Sequence, residues 1–298
     1  MDAENITAIK ELVTKIIERN ISQDTFTWLH DKATQSADAD NSYQLNLSFT
    51  AIPRKTGKKE IVLEQSDTDQ INKLIPGFSI QHWTIDRLSR VWLLMQLKSD
   101  EKANYISRIE NLFLQAEMNE QVALYSSLPL LAYPEEWKLR CAEGIRSNIG
   151  TVLEAIMYQN PYPAQYLDEP AWNQLIMKAF FTDKKVNYIT GLDERANQNL
   201  ANILFDYVEE RWAAHREANP QIWRLVAPFM DESHFYMLQK LFKEGNGIEH
   251  QAAALACAYT RFEKAKELLN EQHPGYENAI NNKTLSWEIL ADNIIFLK

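Results

Sequence analysis

The stretch WTIDRLSRVWLLM, residues 83–95, decides the fold class. Thr84 stands where a helix N-cap is expected, and the apolar residues after it recur three and four positions apart. This spacing is typical of an amphipathic α-helix. Similar runs follow at 106–113, 122–128, 248–259, 262–269 and 285–297. The sequence therefore predicts a mainly all-α fold, arranged as a HEAT-like or irregular helical array.

Upstream of this stretch, the pattern predicts two helices and then a change of period. Residues 4–19 have helical spacing, and a second helix is expected from Ser22. Apolar and polar residues then alternate over 43–51, which is typical of a half-buried strand. We expect one small β-hairpin near residues 43–65, within a single domain over 1–298. The N-terminal part (1–65) is expected to pack on the helical body (66–298).

Glycine content narrows the class of protein further. The chain has 298 residues and only 8 glycines, whereas average usage gives roughly 21. It contains no GxGxxG and no GxxxxGK[ST] motif. The low glycine content therefore argues against folds built on glycine-rich phosphate loops, tight hairpins or bulged barrels, and no cofactor is expected.

The net charge and the two cysteines indicate which binding partners and which cellular compartment the sequence favours. A net charge of −10 argues against a general nucleic-acid or anionic-membrane surface. The basic residues around Gly57 are expected to form a solvated turn. Cys141 and Cys257 form no CxxC motif, which fits a reducing compartment. The first 20 residues form no unbroken apolar run, so we do not expect a signal peptide there, and no apolar run is long enough to span a bilayer. We expect a cytoplasmic protein without a membrane span.

Three prolines precede tryptophans at predicted helix starts. Proline is favourable at the first helical position, and an indole supplies a large packing area. We therefore expect Trp137, Trp172 and Trp223 to be buried at the beginnings of helices.

Several polar residues fall within apolar helical stripes. On a helix over 198–217, Arg211 and His215 share the face of the apolar residues. A buried charge without a partner is costly, so Arg211 is expected to be largely buried and to bind a carboxylate with both arms of its guanidinium. The expected partners are Asp193 and Glu143, ahead of Asp206.

Other segments add amides and a helix start to this constellation. Asn148 lies in the apolar face of a predicted helix over 135–148, and Asn173 lies at the edge of the stripe after Pro170. Asp193 or Asn197 is expected to cap the helix that follows. Two interpretations stay open: a structural polar network, or a pocket for a ligand.

Metal and covalent chemistry have little support in the sequence. The six histidines show no HExxH and no other ligand spacing, so no metal site is expected. There is no GxSxG motif, and both cysteines lie on apolar helix faces, where thiols are usually inert. No catalytic residue is therefore assigned.

Six segments, taken in order, resemble the EboA family. They are ALYSSLPLLAYPEEW (123–137), EGIRSNIGTV (143–152), NPYP (160–163), WNQLIMKAFF (172–181), GLDERANQNLA (191–201) and DYVEERWAAHR (206–216). The candidate binding or structural residues in or beside these motifs are Arg146, Asn148, Asn173, Asp193, Arg195, Asn197, Arg211, His215 and Arg216.

The resemblance implies a place in a bacterial gene cluster linked to making or exporting a secondary metabolite. Such clusters also encode a TatD-like hydrolase, a UbiA-like prenyltransferase, and proteins like dehydroquinate synthase, sugar isomerases and phosphatases. We expect a non-catalytic accessory or binding protein of that pathway, which holds a small anionic or polar metabolite or docks a pathway enzyme. The alternative is an enzyme that acts on a pathway intermediate through Asn148, Asn173, Asp193 and Arg211.

Overall fold

The computed structural model describes residues 3–37 and 42–294. Helices, including four short 3-10 turns, cover 73% of these residues. The predicted all-α class is therefore confirmed. The chain divides into two compact units between Ala171 and Trp172, and each unit is described separately. A single domain over 1–298 and a HEAT-like stacking of helices stay predictions.

Among the described residues of the first unit, ten helices are complete. They are α1 (Ala3–Asn20), α2 (Gln23–Ala37), α3 (Ser42–Thr56), α4 (Gln65–Leu74), α5 (Ile85–Met95), α6 (Lys102–Gln115), α7 (Met118–Ser127), α8 (Lys138–Arg146), α9 (Gly150–Met157) and α10 (Tyr162–Tyr166). Two 3-10 turns, Leu128–Leu130 and Pro134–Trp137, precede α8. The division between the units falls inside α11 (Glu169–Phe181).

Helix α5 is the centre of the first unit. It packs against α1, α3 and α7, and α7 packs in turn on α9. From Ile85 to Leu94 every residue of α5 except Arg87 is buried. A helix that is buried on nearly every side must satisfy its polar groups inside the protein.

The predicted β-hairpin is wrong, because residues 42–56 form helix α3. The buried residues of α3 are Leu45, Ser48, Phe49 and Ile52, which are spaced three and four apart as on one helix face. Tyr43 and Leu47, which completed the alternating pattern, are exposed. Residues 59–61 pair instead with 83–85 through one isolated antiparallel bridge between Glu60 and Thr84.

The second unit is built around α15. Its helices are the remainder of α11, then α12 (Gln198–Ala213), α13 (Ile222–Val226), α14 (Phe235–Glu244), α15 (Gly247–Tyr259), α16 (Glu263–Gln272), α17 (Pro274–Asn281) and α18 (Trp287–Asn293), with 3-10 turns at Val186–Tyr188 and Ala227–Phe229. Helices α13, α14, α16, α17 and α18 all contact α15. The stretch 252–257 of α15 is fully buried and is mostly alanine, which lets neighbouring helices approach closely.

The helix starts agree with the predictions in several places. Trp137, Trp172 and Trp223 are each at most 1% exposed, and each lies at or just before the first turn of a helix. The Oγ of Ser22 accepts a hydrogen bond from the backbone N–H of Thr25 at the start of α2. The helix predicted over 285–297 is observed as α18, and residues 295–298 lie outside the described residues.

None of the helices within residues 3–37 and 42–294 combines the length and the apolar character needed to cross a membrane.

Candidate functional site

Arg146 and Asn148 lie at the end of α8 in the first unit, and both are exposed. Helix α8 ends at Arg146, and Ser147 adopts an extended conformation with ψ of 150°. The Ser147 Oγ accepts a hydrogen bond from the N–H of Ile149 at 3.0 Å. Because the helix stops two residues before Asn148, the prediction that Asn148 lies in an apolar helix face is wrong.

Asn173 and Asn197 form a reciprocal amide pair in the second unit. The Nδ2 of Asn197 donates to Oδ1 of Asn173 at 2.8 Å, and the Nδ2 of Asn173 donates to Oδ1 of Asn197 at 3.2 Å. The same Asn197 Oδ1 accepts from the N–H of Leu200, so Asn197, one of the two predicted candidates, is the N-cap of α12. The guanidinium of Arg195 lies over the ring of Trp172 at 5.1 Å from its centroid. This cluster joins the start of α12 to α11.

Asp193 binds Arg224, which was not among the predicted residues. Nε and Nη2 of Arg224 donate to the two carboxylate oxygens of Asp193, both at 2.6 Å, and Nη2 also lies 3.1 Å from Glu288. Burial acts to lower the pKa of Arg224, but the hydrogen bonds and charges of Asp193 and Glu288 outweigh it and raise that pKa. The carboxylate expected for Arg211 is thus held by another arginine.

Arg211 is half-buried and its polar contacts are neutral oxygens. Its Nε donates to the backbone carbonyl of Glu217 at 2.5 Å, and its Nη1 donates to the Tyr207 hydroxyl at 3.3 Å. The predicted bidentate carboxylate partner is therefore wrong. The buried residues of α12 are Leu200, Ala201, Leu204, Phe205 and Val208, so the packed face turns away from Tyr207, and the helix ends two residues after Arg211.

The end of α12 borders a cleft of 340 Å³. The cleft is lined by Trp212, His215, Arg216, Glu217, Lys240, Leu241, Glu244, Gly245 and Glu249. His215 has a φ of 56°, a left-handed conformation that usually favours glycine. The N–H of Arg216 bonds back to the carbonyl of Arg211 at 2.8 Å, which closes the helix end. This turn brings His215 and Arg216, two predicted residues, to the cleft.

One cation of the cleft, Lys240, lies over an indole. The Nζ of Lys240 lies over the ring of Trp212 at 4.4 Å from its centroid, and Trp212 is stacked on Trp223 at 6.1 Å. Within the described part of the chain, neither Lys240 nor Arg216 forms an ion pair with a carboxylate. Glu217 and Glu244 add acceptor groups, and Glu249 accepts a hydrogen bond from the N–H of Asn246. The cleft therefore presents two cations and three carboxylates, which together offer donors and acceptors to a polar ligand.

Sequence reasoning missed Trp212 and Lys240 as a pair. They lie on α12 and α14, and no spacing in the sequence links the two helices. Tertiary packing alone brings the ammonium over the indole. The only hint in the sequence was the position of Trp212, next to Arg211 in the DYVEERWAAHR segment.

A second polar cluster, which was also missed, lies buried in the first unit. Arg90 donates from Nη1 to Asp86 at 2.9 Å and from Nε to the carbonyl of Phe49 at 3.0 Å, and its Nη2 lies 3.8 Å from Glu120. Burial lowers the pKa of Arg90, against the opposing effect of the Asp86 and Glu120 charges. The signal was present in the sequence, since Asp86 and Arg90 are four residues apart on one helix.

The two thiols are buried in separate units. Burial raises the pKa of Cys257 to about 12 and raises the pKa of Cys141 as well. Thiolates at these positions are strongly disfavoured at neutral pH. In the residues that the structure describes, no group of three or more His, Cys, Asp or Glu side chains is placed to hold a metal ion.

Comparison with known proteins gives one family. The family described as "Metabolite traffic protein EboA" matches residues 9–227. No curated protein and no solved structure matches the chain. The matched range covers more than half of the sequence and reaches from the first helices to the end of α13, so the chain belongs to the EboA family.

Proposed function

We propose that this protein is a non-catalytic accessory protein of a bacterial pathway that makes or exports a secondary metabolite. It works in the cytoplasm and holds a small anionic or polar intermediate in the cleft beside α12. The family description as a metabolite traffic protein supports the general role. An enzyme of the same pathway that delivers or receives the ligand is the expected protein partner.

The observation that carries the proposal is the state of the cations at the cleft. Arg224, in the same unit, is paired with the carboxylates of Asp193 and Glu288. Lys240 and Arg216 have no such carboxylate among the described residues, and both line a cleft large enough for a small metabolite. A cation that no protein carboxylate neutralises is available to a ligand anion, and charge-assisted hydrogen bonds are the stronger class.

A binding role fits the constellation better than catalysis does. Asp193 is engaged by Arg224, and the two amides of Asn173 and Asn197 satisfy each other. These groups support the start of α12, the helix that leads to the cleft. They act as supporting residues for a binding site. The enzyme hypothesis built on Asn148, Asn173, Asp193 and Arg211 is less favoured, because Asp193 and the amide of Asn173 are engaged in internal bonds.

The test is calorimetric titration of the full chain with three classes of phosphate: a sugar phosphate, a prenyl diphosphate and a phosphorylated cyclohexane carboxylate. We expect at least one class to bind, and we expect its affinity to fall by at least about tenfold in Lys240→Ala, since one charge-assisted hydrogen bond is worth about 1.5–3 kcal/mol. Lys243→Ala is the matched control. Lys243 is exposed, lies one turn further along α14 and does not line the cleft.

Two results would overturn the proposal. One is the absence of binding with all three classes at millimolar concentrations. The other is an equal affinity in Lys240→Ala and Lys243→Ala, which would place the ligand elsewhere. Phosphorus NMR of the same mixtures monitors chemical change, and conversion of a bound probe would favour the enzyme hypothesis.

A further inference from the structure

The outer face of α3 combines exposed apolar side chains with a basic end. Tyr43 and Leu47 are one helical turn apart, and Tyr43 is 74% exposed. Arg54, which continues the same stripe, and Lys55 lie in the last turn of α3, and Lys58 and Lys59 follow directly. All four basic side chains are exposed. The opposite face of α3 is buried in the first unit.

Two more exposed apolar side chains lie on the helices that neighbour α3. Asn46 of α3 donates to Gln115 at 3.3 Å, and Thr50 donates to Glu120 at 2.8 Å, so α3 lies beside the end of α6 and the start of α7. In that same region Leu114 is 71% exposed and Met118 is 49% exposed. We name these residues the α3 surface: Tyr43, Leu47, Leu114 and Met118 with Arg54, Lys55, Lys58 and Lys59.

The basic residues of the α3 surface have no carboxylate partner among residues 3–37 and 42–294. The nearest acid in sequence, Glu60, is bonded to His82 at 2.7 Å. Lys55 has one polarisable neighbour, the ring of Trp28 at 5.9 Å. Four uncompensated cations in six residues stand out in a chain whose net charge is −10.

We propose that the α3 surface docks the protein on an anionic lipid bilayer. Exposed apolar side chains that border lysines and arginines are the features of an interfacial helix, whose apolar groups enter the headgroup region while the cations meet lipid phosphates. The charge complementarity is local. Because the rest of the molecule is acidic and is repelled by such a bilayer, only this face approaches it, and the contact fixes the orientation of the first unit.

Vesicle flotation of the full chain tests this directly. We expect binding to vesicles of phosphatidylcholine with about 30% phosphatidylglycerol, and weak binding to phosphatidylcholine alone. Raising the salt from about 50 to about 500 mM should release the protein, because exposed charges are screened. The variant Lys58→Gln/Lys59→Gln should lose affinity about 30-fold, at about fivefold for each cation.

Matched variants distinguish binding through the α3 surface from effects of net charge and from nonspecific hydrophobic binding. Lys73→Gln/Lys98→Gln makes the same change of charge at exposed sites of the same unit and should leave binding unchanged. Tyr43→Ser/Leu47→Ser should lower vesicle affinity about tenfold. Leu139→Ser/Tyr259→Ser, at two other exposed apolar positions, should not lower it. Circular dichroism checks that each variant remains helical.

The proposal is overturned if the protein does not bind anionic vesicles at low salt, or if the Lys58/Lys59 and Lys73/Lys98 variants bind equally. Binding to soluble polyglutamate is measured as a third test, because it distinguishes a lipid surface from an acidic macromolecule. If polyglutamate binds as tightly as the vesicles and Tyr43→Ser/Leu47→Ser has no effect, the partner is an acidic macromolecule and the assignment to lipid is wrong. Each of these results leaves the ligand titration at the α12 cleft unaffected, because the two tests use different surfaces and different probes.

Discussion

Each of the two units is built around one central helix, and the two helices differ in whether their buried residues include charged side chains. Helix α5 carries Asp86 and Arg90 into the core of the first unit, where the guanidinium is 4% exposed and its partners are protein groups. The buried stretch of α15 carries only alanine, leucine and cysteine, and the cations Arg216 and Lys240 lie at the border of a cleft. A charged side chain is therefore structural where its partners are protein groups, as at Arg90, whereas Arg216 and Lys240 are accessible to a ligand at the cleft.

The largest expected effect is at Arg90. Arg90→Ala leaves Asp86 and Glu120 buried without their cation, and breaking such a pair costs about 3–5 kcal/mol in the free energy of unfolding. Urea denaturation followed by circular dichroism measures the loss. In the double variant Asp86→Leu/Arg90→Met the loss should be smaller, because no charge of this pair is left alone. A loss below about 1 kcal/mol in Arg90→Ala would remove the contrast between the units.

Gly144 tests how closely the first unit is packed. A Cβ at Gly144 would lie 2.5 Å from Cδ1 of Ile156 and 2.6 Å from Cε1 of Tyr125. Gly144→Ala should therefore destabilise the protein by about 1–3 kcal/mol, as overpacked cores do. Gly247→Ala is the control, since a Cβ there meets nothing within 4 Å. Equal melting temperatures of the two variants would show that α8 or its neighbours shift enough to accommodate the added methyl group at low cost.

Asn197 tests the support of α12 in the second unit. Asn197→Ala removes the N-cap bond to Leu200 and the amide pair with Asn173, and N-cap losses are typically about 1 kcal/mol. Asn197→Asp keeps the cap acceptor but gives up the donor to Asn173, so the two variants separate the contributions. If Asn197→Ala melts like the parent protein, the amide pair has no role in holding the helix start.

The smallest effect is expected at Arg211. Its partners are a carbonyl and a hydroxyl at the surface, so Arg211→Ala should change the free energy of unfolding by only a few tenths of a kcal/mol. Arg224→Ala is the comparison within the same unit. It leaves Asp193 and Glu288 without their cation and should cost more. Matching losses at the two arginines would mean that Arg211 has a structural partner after all.

Local patterns in the sequence predicted most of the helices. The start of α2 at Ser22, the cap of α12 at Asn197 and the burial of Trp137, Trp172 and Trp223 follow from capping chemistry and packing area, which act within one turn. The error at α3 has a specific cause. Leu45, Phe49 and Ile52 have helical spacing, but Tyr43 before them and Leu47 between them complete an alternation that imitates a strand. Tertiary contacts with α2 and α5 decide the outcome.

The candidate site depended more on contacts between distant segments. Helical spacing over 198–217 predicted that Arg211 lies in the apolar face of α12. The buried face of the helix includes Ala201 and Phe205 and points away from Arg211, and the helix ends before His215. The partners of Asp193 and Trp212 come from α13 and α14. No spacing within one helix contains that information, whereas the i,i+4 relation of Asp86 and Arg90 was readable and pointed to the other unit.

Each unit contains one buried cysteine, whose reactivity reports how often the helices around it open. Cys141 lies in α8 of the first unit and Cys257 in α15 of the second, and both side chains are fully buried. A thiol reagent reaches such a side chain only when the surrounding helices part, so the rate of labelling at each position reports the free energy of local opening. Mass spectrometry of the two tryptic peptides can therefore follow both units at once in the unaltered chain. A ligand in the α12 cleft and a bilayer at the α3 surface would then slow labelling at different cysteines.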